Sequence, residues 1–480
     1  MTQERRPDSI ERFIDLVLDT RFEDLPADAV AAGKVFFLDT VGVACAGRLA
    51  PGMPGLLAAA RRWGEAGDEP VTVWSTGRRT GAPVAALLNG YQCHALEYDC
   101  VFEPGVILPA APIFAALMAQ AERLAATDRP PAGRNLLLAF VVAAEVSCTL
   151  AAAARSGMFF FRPATTGAFS ALAALACLRP LTREQLRYAF GIVYSQVCGP
   201  MQAHEEGSMM LAMQMGFAAR NAVQAYDMAE MGVTAPVQVL DGRFGYFNNF
   251  EHESAIDEAL ASLAAPWKVT RLSHKPFPSG RVTHGTIHAL RELQAELPLP
   301  PSAAGDAVDS ITVGMPPLGV RLVGRPMIHR PPPNYARLCV PYVAAVQLLH
   351  GNVDPSSFLP ERLASDEIER LARKVRVVEL PNPDPNAFYP QSLTLALRDG
   401  RVTERAIPFA WGHPELPLSA QEREDKFRLC WRMTRGDSPQ ADAQMEEAIA
   451  WLRDPTAAPD CRFLLALLGE HAAPPSDAAR

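Results

Sequence analysis

Apolar residues recur three and four positions apart across most of the first 265 residues, the period of a helix with one buried face. The runs "AVAAGKVFFLDTVGVACAG", "APVAALLNGYQCHALEYD", "APIFAALMAQAERLAA", "GAFSALAALACL" and "LAMQMGFAARNAVQAYDMAEMG" are Ala-rich and often stop at Gly or Pro. Each predicts a helix, and their small side chains allow close helix–helix approach. Near the start, Ile10, Phe13, Ile14, Val17 and Leu18 mark one helical face, with Ser9 placed to cap it. Only "EPVTVW" reads as a strand in this part. The run "NLLLAFVVAAEVSCTLAAAA", residues 135–154, is long enough to cross a bilayer. Glu145 at its centre and alanines at its end favour a buried helix of a bundle instead.

The pattern changes after the break "ELPLPPSAAGDAVDS". "SITVGM" and "KVRVVEL" alternate with period two, and "SLTLALRDGRVTERAI" predicts a hairpin around Asp399-Gly400. Helical pieces such as "YVAAVQLLHG" and "DEIERLARK" lie between them. From "LSAQEREDKFRLCWRM" onward the chain is helical again, and the tail "HAAPPSDAAR" is expected to fray. The expectation is a mainly α protein: a large all-helical domain from residues 1–267 and 411–480, with a smaller α+β domain, 268–410, inserted between.

The 480 residues are too many for one core, which suits two domains. A net charge of −8 leaves no surplus of cations to neutralise phosphates, so a nucleic-acid partner is not expected. Nine cysteines, none in a C-x-x-C pair, exclude zinc-ribbon and iron–sulfur spacings. The N-terminal stretch carries no apolar signal core, and the odd cysteine count suits a reducing cytoplasm, the expected location. Phosphate-loop, dinucleotide, metalloprotease and serine-hydrolase motifs are missing. His284 and His288, at i and i+4, could share a metal on a helix face, but no cysteine or carboxylate supports them nearby. No metal is expected.

The stretch with the most chemistry is "SHKPFPSGRVTHGTIHAL", residues 273–290. Lys275 precedes a proline, so it lies on an extended approach to a helix. His284 falls at the start of that helix, where a neutral imidazole is favoured. Arg281 stands between them. The plain alternative is a solvated basic turn.

Seven blocks, in order, resemble the MmgE/PrpD family: "VFFLDTVGVACAG", "LLNGYQCHALEYDCVFEPGVILPAAPIFAAL", "TGAFSALAALACL", "VLDGRFGYFNNF", "KPFPSGRVTHGTIHAL", "YARLCVPYVAAVQLLHGNV" and "WGHPELPLSAQEREDKF". Members include 2-methylcitrate dehydratase, cis-aconitate decarboxylase and an iminodisuccinate epimerase. The resemblance implies a helical domain, an inserted α+β lid, an active site in the cleft, and a homodimer. It also implies that no metal, cluster or organic cofactor is used. Family chemistry breaks or makes a bond beside a carboxylate. It needs a base, an acid and cations for the anionic intermediate.

Lys275, Arg281, His284 and Asp99 match the family pattern, and Glu97 stands where an aspartate is usual. Other positions depart from it. Cys100, Val101 and Phe102 replace polar residues, Leu108 and Arg162 replace histidines, and Leu211, Ala212, Met213 and Gln214 replace a Lys-Arg-Leu-His run. "GMFFFRP" adds aromatic rings. Such a site would desolvate a tricarboxylate without pairing it. The resemblance therefore implies a lyase or isomerase that moves a proton next to a carboxylate or carbonyl of a small, partly apolar substrate other than methylcitrate or cis-aconitate. The expected catalytic residues are Lys275, His284, Asp99 and Glu97. Expected substrate contacts are Arg281, Arg162, Leu108, Phe102, Leu211, Gln214 and His204. Two alternatives are a biosynthetic cyclase or double-bond isomerase, and a catalytically silent binding protein.

Overall fold

The computed structural model describes residues 7–63, 69–74, 76–297 and 299–470. The C-terminal tail expected to fray lies outside them. The first helix, α1 (Ile10–Asp19), buries Ile10, Phe13, Ile14 and Val17 as the pattern requires. Its cap differs from expectation. Ser9 already has helical backbone angles and its side chain caps nothing. Asp8 does this work, accepting the N–H of Ile10 at 3.0 Å and of Asp241 at 2.9 Å, so it also ties the chain start to a distant loop.

Next come α2 (Ala27–Ala46), a short antiparallel hairpin β1 (Pro70–Val73) and β2 (Arg78–Gly81), and α3 (Ala82–His94). The helical part thus carries one strand pair, at the "EPVTVW" position. The bundle is completed by α4 (Ala110–Ala126), α5 (Gly133–Ala152), α6 (Arg162–Leu178) and α7 (Met210–Glu230). Helix α6 packs on α4, α5 and α7, and α7 crosses α3. Glycine makes that crossing possible: a Cβ on Gly216 would lie 2.2 Å from the Leu87 carbonyl oxygen, and one on Gly90 2.9 Å from the Gly216 Cα.

The membrane-length run is α5, covered on nearly all sides by protein. Its central Glu145 is fully buried and paired with Lys268 at 2.7 Å. Residues 268–274 remain attached to the helical part: Ser273 bridges Val101 and the His274 ring stacks on Phe36.

The second part holds α8 (His284–Glu296), β3 (Val308–Met315), α9 (Pro317–Val323), α10 (Val340–His350) and β4 (Val375–Glu379). It ends with the hairpin β5 (Gln391–Leu397) and β6 (Val402–Ile407). The sheet order is β4-β3-β5-β6; β3–β4 is parallel and the other pairs are antiparallel. Gly400 takes the left-handed conformation that the hairpin turn demands. Strand β5 alternates buried and half-buried positions, which places one face on the core. Helix α11 (Ala420–Arg435) then returns to pack on α2, where Lys426 meets Asp39 at 2.7 Å. The protein is therefore mainly α with a smaller α+β part, and the returning helix frames the loop that follows α3.

Candidate active site

That loop supplies the acidic side of the site. His94, the last residue of α3, is fully buried, and its Nδ1 lies 2.9 and 3.1 Å from the two Asp99 oxygens. Its Nε2 stands 3.3 Å from Glu97 Oε1, an ion-pair distance without hydrogen-bond alignment. Burial alone would favour a neutral ring. The two carboxylates outweigh it and push His94 up to about 10, so it is an imidazolium.

Glu97 has a left-handed backbone, φ 52°, costly for a residue with a side chain. That geometry turns its carboxylate toward Lys275, whose Nζ donates to Glu97 Oε2 at 2.9 Å and to the Glu97 carbonyl at 3.2 Å. Burial would raise the Glu97 carboxyl, but Lys275 and His94 hold it well below the usual range. Asp99, His94, Glu97 and Lys275 thus form a chain of alternating charge with zero net sum. Lys275 is 1% exposed. Its extended approach is fixed by Pro276 and by the bridge of Ser273 to Val101.

Glu97 and Lys275 line a cavity of 60 Å³ with Arg281, Leu108, Leu211 and His204. The other walls are apolar, among them Phe161, Leu322, Val323 and Leu338. Six of the eleven residues expected at the site therefore meet at one cavity. The other five stand behind its lining.

Asp99 backs His94 rather than the cavity. His284 is fully buried: its Nε2 donates to the Ser279 carbonyl at 3.2 Å and its Nδ1 faces Arg281 Nη1 at 3.4 Å. Burial first, then Arg281 and Lys275, depress its basicity well below the ordinary value, so it stays neutral and holds the 276–280 turn. Arg162 is an internal staple. Its guanidinium grips Glu251 through Nε (2.8 Å) and Nη2 (3.1 Å), and also reaches the carbonyls of Gly105 and Ser156 and the Asn386 amide. Phe102 packs in the core, its backbone bridged to Ile107. Gln214 donates to the Pro200 carbonyl.

Arg281 reaches the lining, yet its charge is committed elsewhere. Nε meets Glu103 at 2.7 Å, while Nη1 and Nη2 donate to the carbonyls of His274, Trp411 and Ala410. It fastens three segments together. His288 takes no part: it stacks on Trp411 at 5.6 Å.

Sequence reasoning missed three arginines near this cavity. Arg337 is buried, donates to the carbonyls of Leu96 and Pro278, and lies over the Phe358 ring at 4.2 Å. Arg325 donates to the His204 carbonyl at 2.9 Å, and Arg321 to the Met158 carbonyl at 2.8 Å. His94 was missed too. The signal was its place in "HALEYD", five residues before Asp99 across a helix end.

The charged chain predicts a pH response. His94 has a raised value, so its stabilising contribution is complete below about 6.5 and is lost as the pH climbs through about 10. Thermal stability should fall between about pH 6.5 and 10 in the wild type. His94→Gln should lose that part of the slope. NMR should show the His94 ring doubly protonated at pH 8.

Comparison with known proteins agrees with this architecture. The family model of the MmgE/PrpD N-terminal domain matches residues 11–259, and that of the MmgE/PrpD C-terminal domain matches 277–451. Human (Homo sapiens) cis-aconitate decarboxylase is 29% identical over 374 residues, covering 74% of each chain. Cis-aconitate decarboxylase from Aspergillus terreus is 27% identical over 424 residues, 85% of this chain and 84% of that protein. With a helical part and an α+β part that both match across most of their length, the chain belongs to the MmgE/PrpD family.

Proposed function

We propose that this protein is a lyase or isomerase that moves a proton next to a carboxylate or carbonyl group of a small, partly apolar substrate. The broad class, a lyase-type enzyme, is supported by the family and by relatives named cis-aconitate decarboxylase. The observation that carries the finer reading is the Glu97–Lys275 pair opening on a cavity whose other walls, Arg281 and His204 apart, are apolar. In this reading the substrate oxygen draws Lys275 off Glu97, the basicity of the carboxylate rises, and Glu97 takes the proton from carbon. The Lys275 ammonium, beside it, holds the negative charge that develops on oxygen. A low dielectric strengthens that interaction. Side chains alone supply these roles.

The walls argue against a tricarboxylate. Arg281 and Arg162 are occupied by Glu103 and Glu251, and Leu108 and Leu211 offer no donor. With Arg281 committed, Lys275 and His204 are the donors left on the lining, so a tricarboxylate would keep most of its oxygens unpaired. The test is to incubate the purified protein in D2O with a panel of short carboxylic acids and follow deuterium uptake beside the acid group by NMR. Cis-aconitate and methylcitrate are included. Uptake or turnover with a less charged acid is expected, absent from Glu97→Gln. Rapid turnover of cis-aconitate or methylcitrate would overturn the substrate assignment.

A further inference from the structure

Charge around the cavity is uneven. At the Glu97–Lys275 end, anions and cations balance. At the other end stands His204, 6% exposed, on the short helix Gln202–Glu206. Its Nδ1 faces Arg325 Nη2 at a long 3.4 Å, and its carbonyl accepts from the same nitrogen at 2.9 Å. Its Nε2 makes no hydrogen bond among the described residues, though the ring lines the cavity. An arginine can only donate, so Nδ1 must accept and the proton must sit on Nε2. The ring therefore offers a donor with nothing yet to receive it.

Behind His204, the buried Arg325 Nη1 has no partner, and neither has the buried Arg337 Nε. Among the described residues, none of Arg321, Arg325 and Arg337 forms an ion pair with a carboxylate. Their bonds go to carbonyl oxygens. Arg325 also lies over the Tyr335 ring at 4.8 Å, and the carboxylates that act on its charge, Glu205 and Glu97, do so without a direct contact. Arg337 is buried, Arg325 half-buried and Arg321 exposed, so the cost of a guanidinium without an anion falls on the first two, and a ligand carboxylate would relieve it.

We propose that His204 presents a neutral-imidazole Nε2–H to the substrate, its tautomer set by Arg325 as a positioning residue, and that this end of the cavity takes the single carboxylate of a short, largely apolar acid that carries a carbonyl at the Glu97–Lys275 end. This rests on the cavity being the active site, as argued above. Leu108, Leu211, Leu322, Val323 and Leu338 form the wall along which the apolar body lies. At the other end a carbonyl oxygen beside the reacting carbon meets Lys275, and that carbon faces Glu97. Burial first, then Arg325 and Arg321, depress His204 to about 4, while Glu97 opposes them; the ring is neutral at pH 7 and acts as a hydrogen-bond donor without carrying charge.

Pentanoate and pentanamide, equal in shape and different in charge, test this by isothermal titration calorimetry on the full chain. Pentanoate should bind at least tenfold more tightly than the amide. Arg325→Met should abolish that preference, and Arg325→Lys should restore part of it. NMR of His204 should show the Nε2–H tautomer between pH 5 and 8, with a pKa that climbs toward 6.5 in Arg325→Met. Lys275→Met should keep the pentanoate preference while losing proton transfer. Equal affinity for acid and amide would overturn the proposal. So would a preference that survives Arg325→Met, or one that disappears with Lys275→Met instead. Proton transfer that survives Lys275→Met would overturn the catalytic reading and leave the pentanoate result to stand by itself.

Discussion

Lys275→Met should lower kcat/KM by about 10³-fold or more, because it removes the one cation that touches both Glu97 and the cavity. The loss should fall on kcat more than on KM if the ammonium acts on charge that appears only during reaction. Methionine keeps most of the side-chain volume, so packing is little disturbed. Glu97 remains paired with the His94 imidazolium, so one cation still faces the carboxylate and the fold should survive. Its carboxyl should move up from its depressed position, since Lys275 is the largest charge holding it down. Two measurements separate chemistry from damage. Deuterium uptake into the acid reports proton transfer, and the melting temperature reports folding. A variant that melts normally and still exchanges protons at the wild-type rate would remove Lys275 from the mechanism.

The extended segment that carries Lys275 was legible in the sequence because proline after it forbids a helix, whereas its place among the site residues came from the family resemblance. The surrounding helices were legible from their periodicity and stops. So were the strands: β3, β4 and the hairpin around Asp399-Gly400 follow period-two alternation and turn chemistry. What the sequence could not distribute was charge. Arg281 and His284 look as catalytic as Lys275 when read along the chain. Their work is decided by Glu103, 178 residues before Arg281, and by the Ser279 carbonyl. Arg162 likewise meets Glu251, and both partners vanish from the cavity. In the other direction, nothing along the chain singles out Arg325 or Arg337. Folding carries them beside His204 and Leu96 without giving either a carboxylate. The pocket expected to be stripped of cations is thus re-supplied from the α+β part, which periodicity cannot reveal. The Ser9 cap failed for a related reason: Asp8 is preferred because it also satisfies the amides of Leu240 and Asp241.

The largest stability effect is expected at Glu145, far from the cavity yet coupled to it. Glu145 is fully buried in α5. Oε1 accepts from Lys268 Nζ at 2.7 Å and from the Ala264 N–H at 2.8 Å, and Oε2 accepts from the Lys268 N–H at 2.6 Å. One carboxylate therefore neutralises a buried ammonium and satisfies two backbone donors. Lys268→Met removes the buried carboxylate's counter-charge while leaving its two backbone donors, and should cost about 3–5 kcal/mol. Glu145→Leu strands the ammonium, left with the Ser262 carbonyl alone, and both amides as well. It should cost at least as much, with about 1–3 kcal/mol for each unpaired amide. The double variant removes both charges together, so its loss should be well below the sum of the singles. What remains should approximate the two orphaned amides. Urea unfolding of the four proteins closes the cycle, and additive losses would show that the pair is not the reason Glu145 is tolerated inside an apolar helix. Function should follow. Lys268 starts the segment that carries Ser273 onto Val101 and sets Lys275 against Glu97. Loosening it should weaken that 2.9 Å contact, so proton transfer should fall in Lys268→Met at temperatures where most of the protein is still folded.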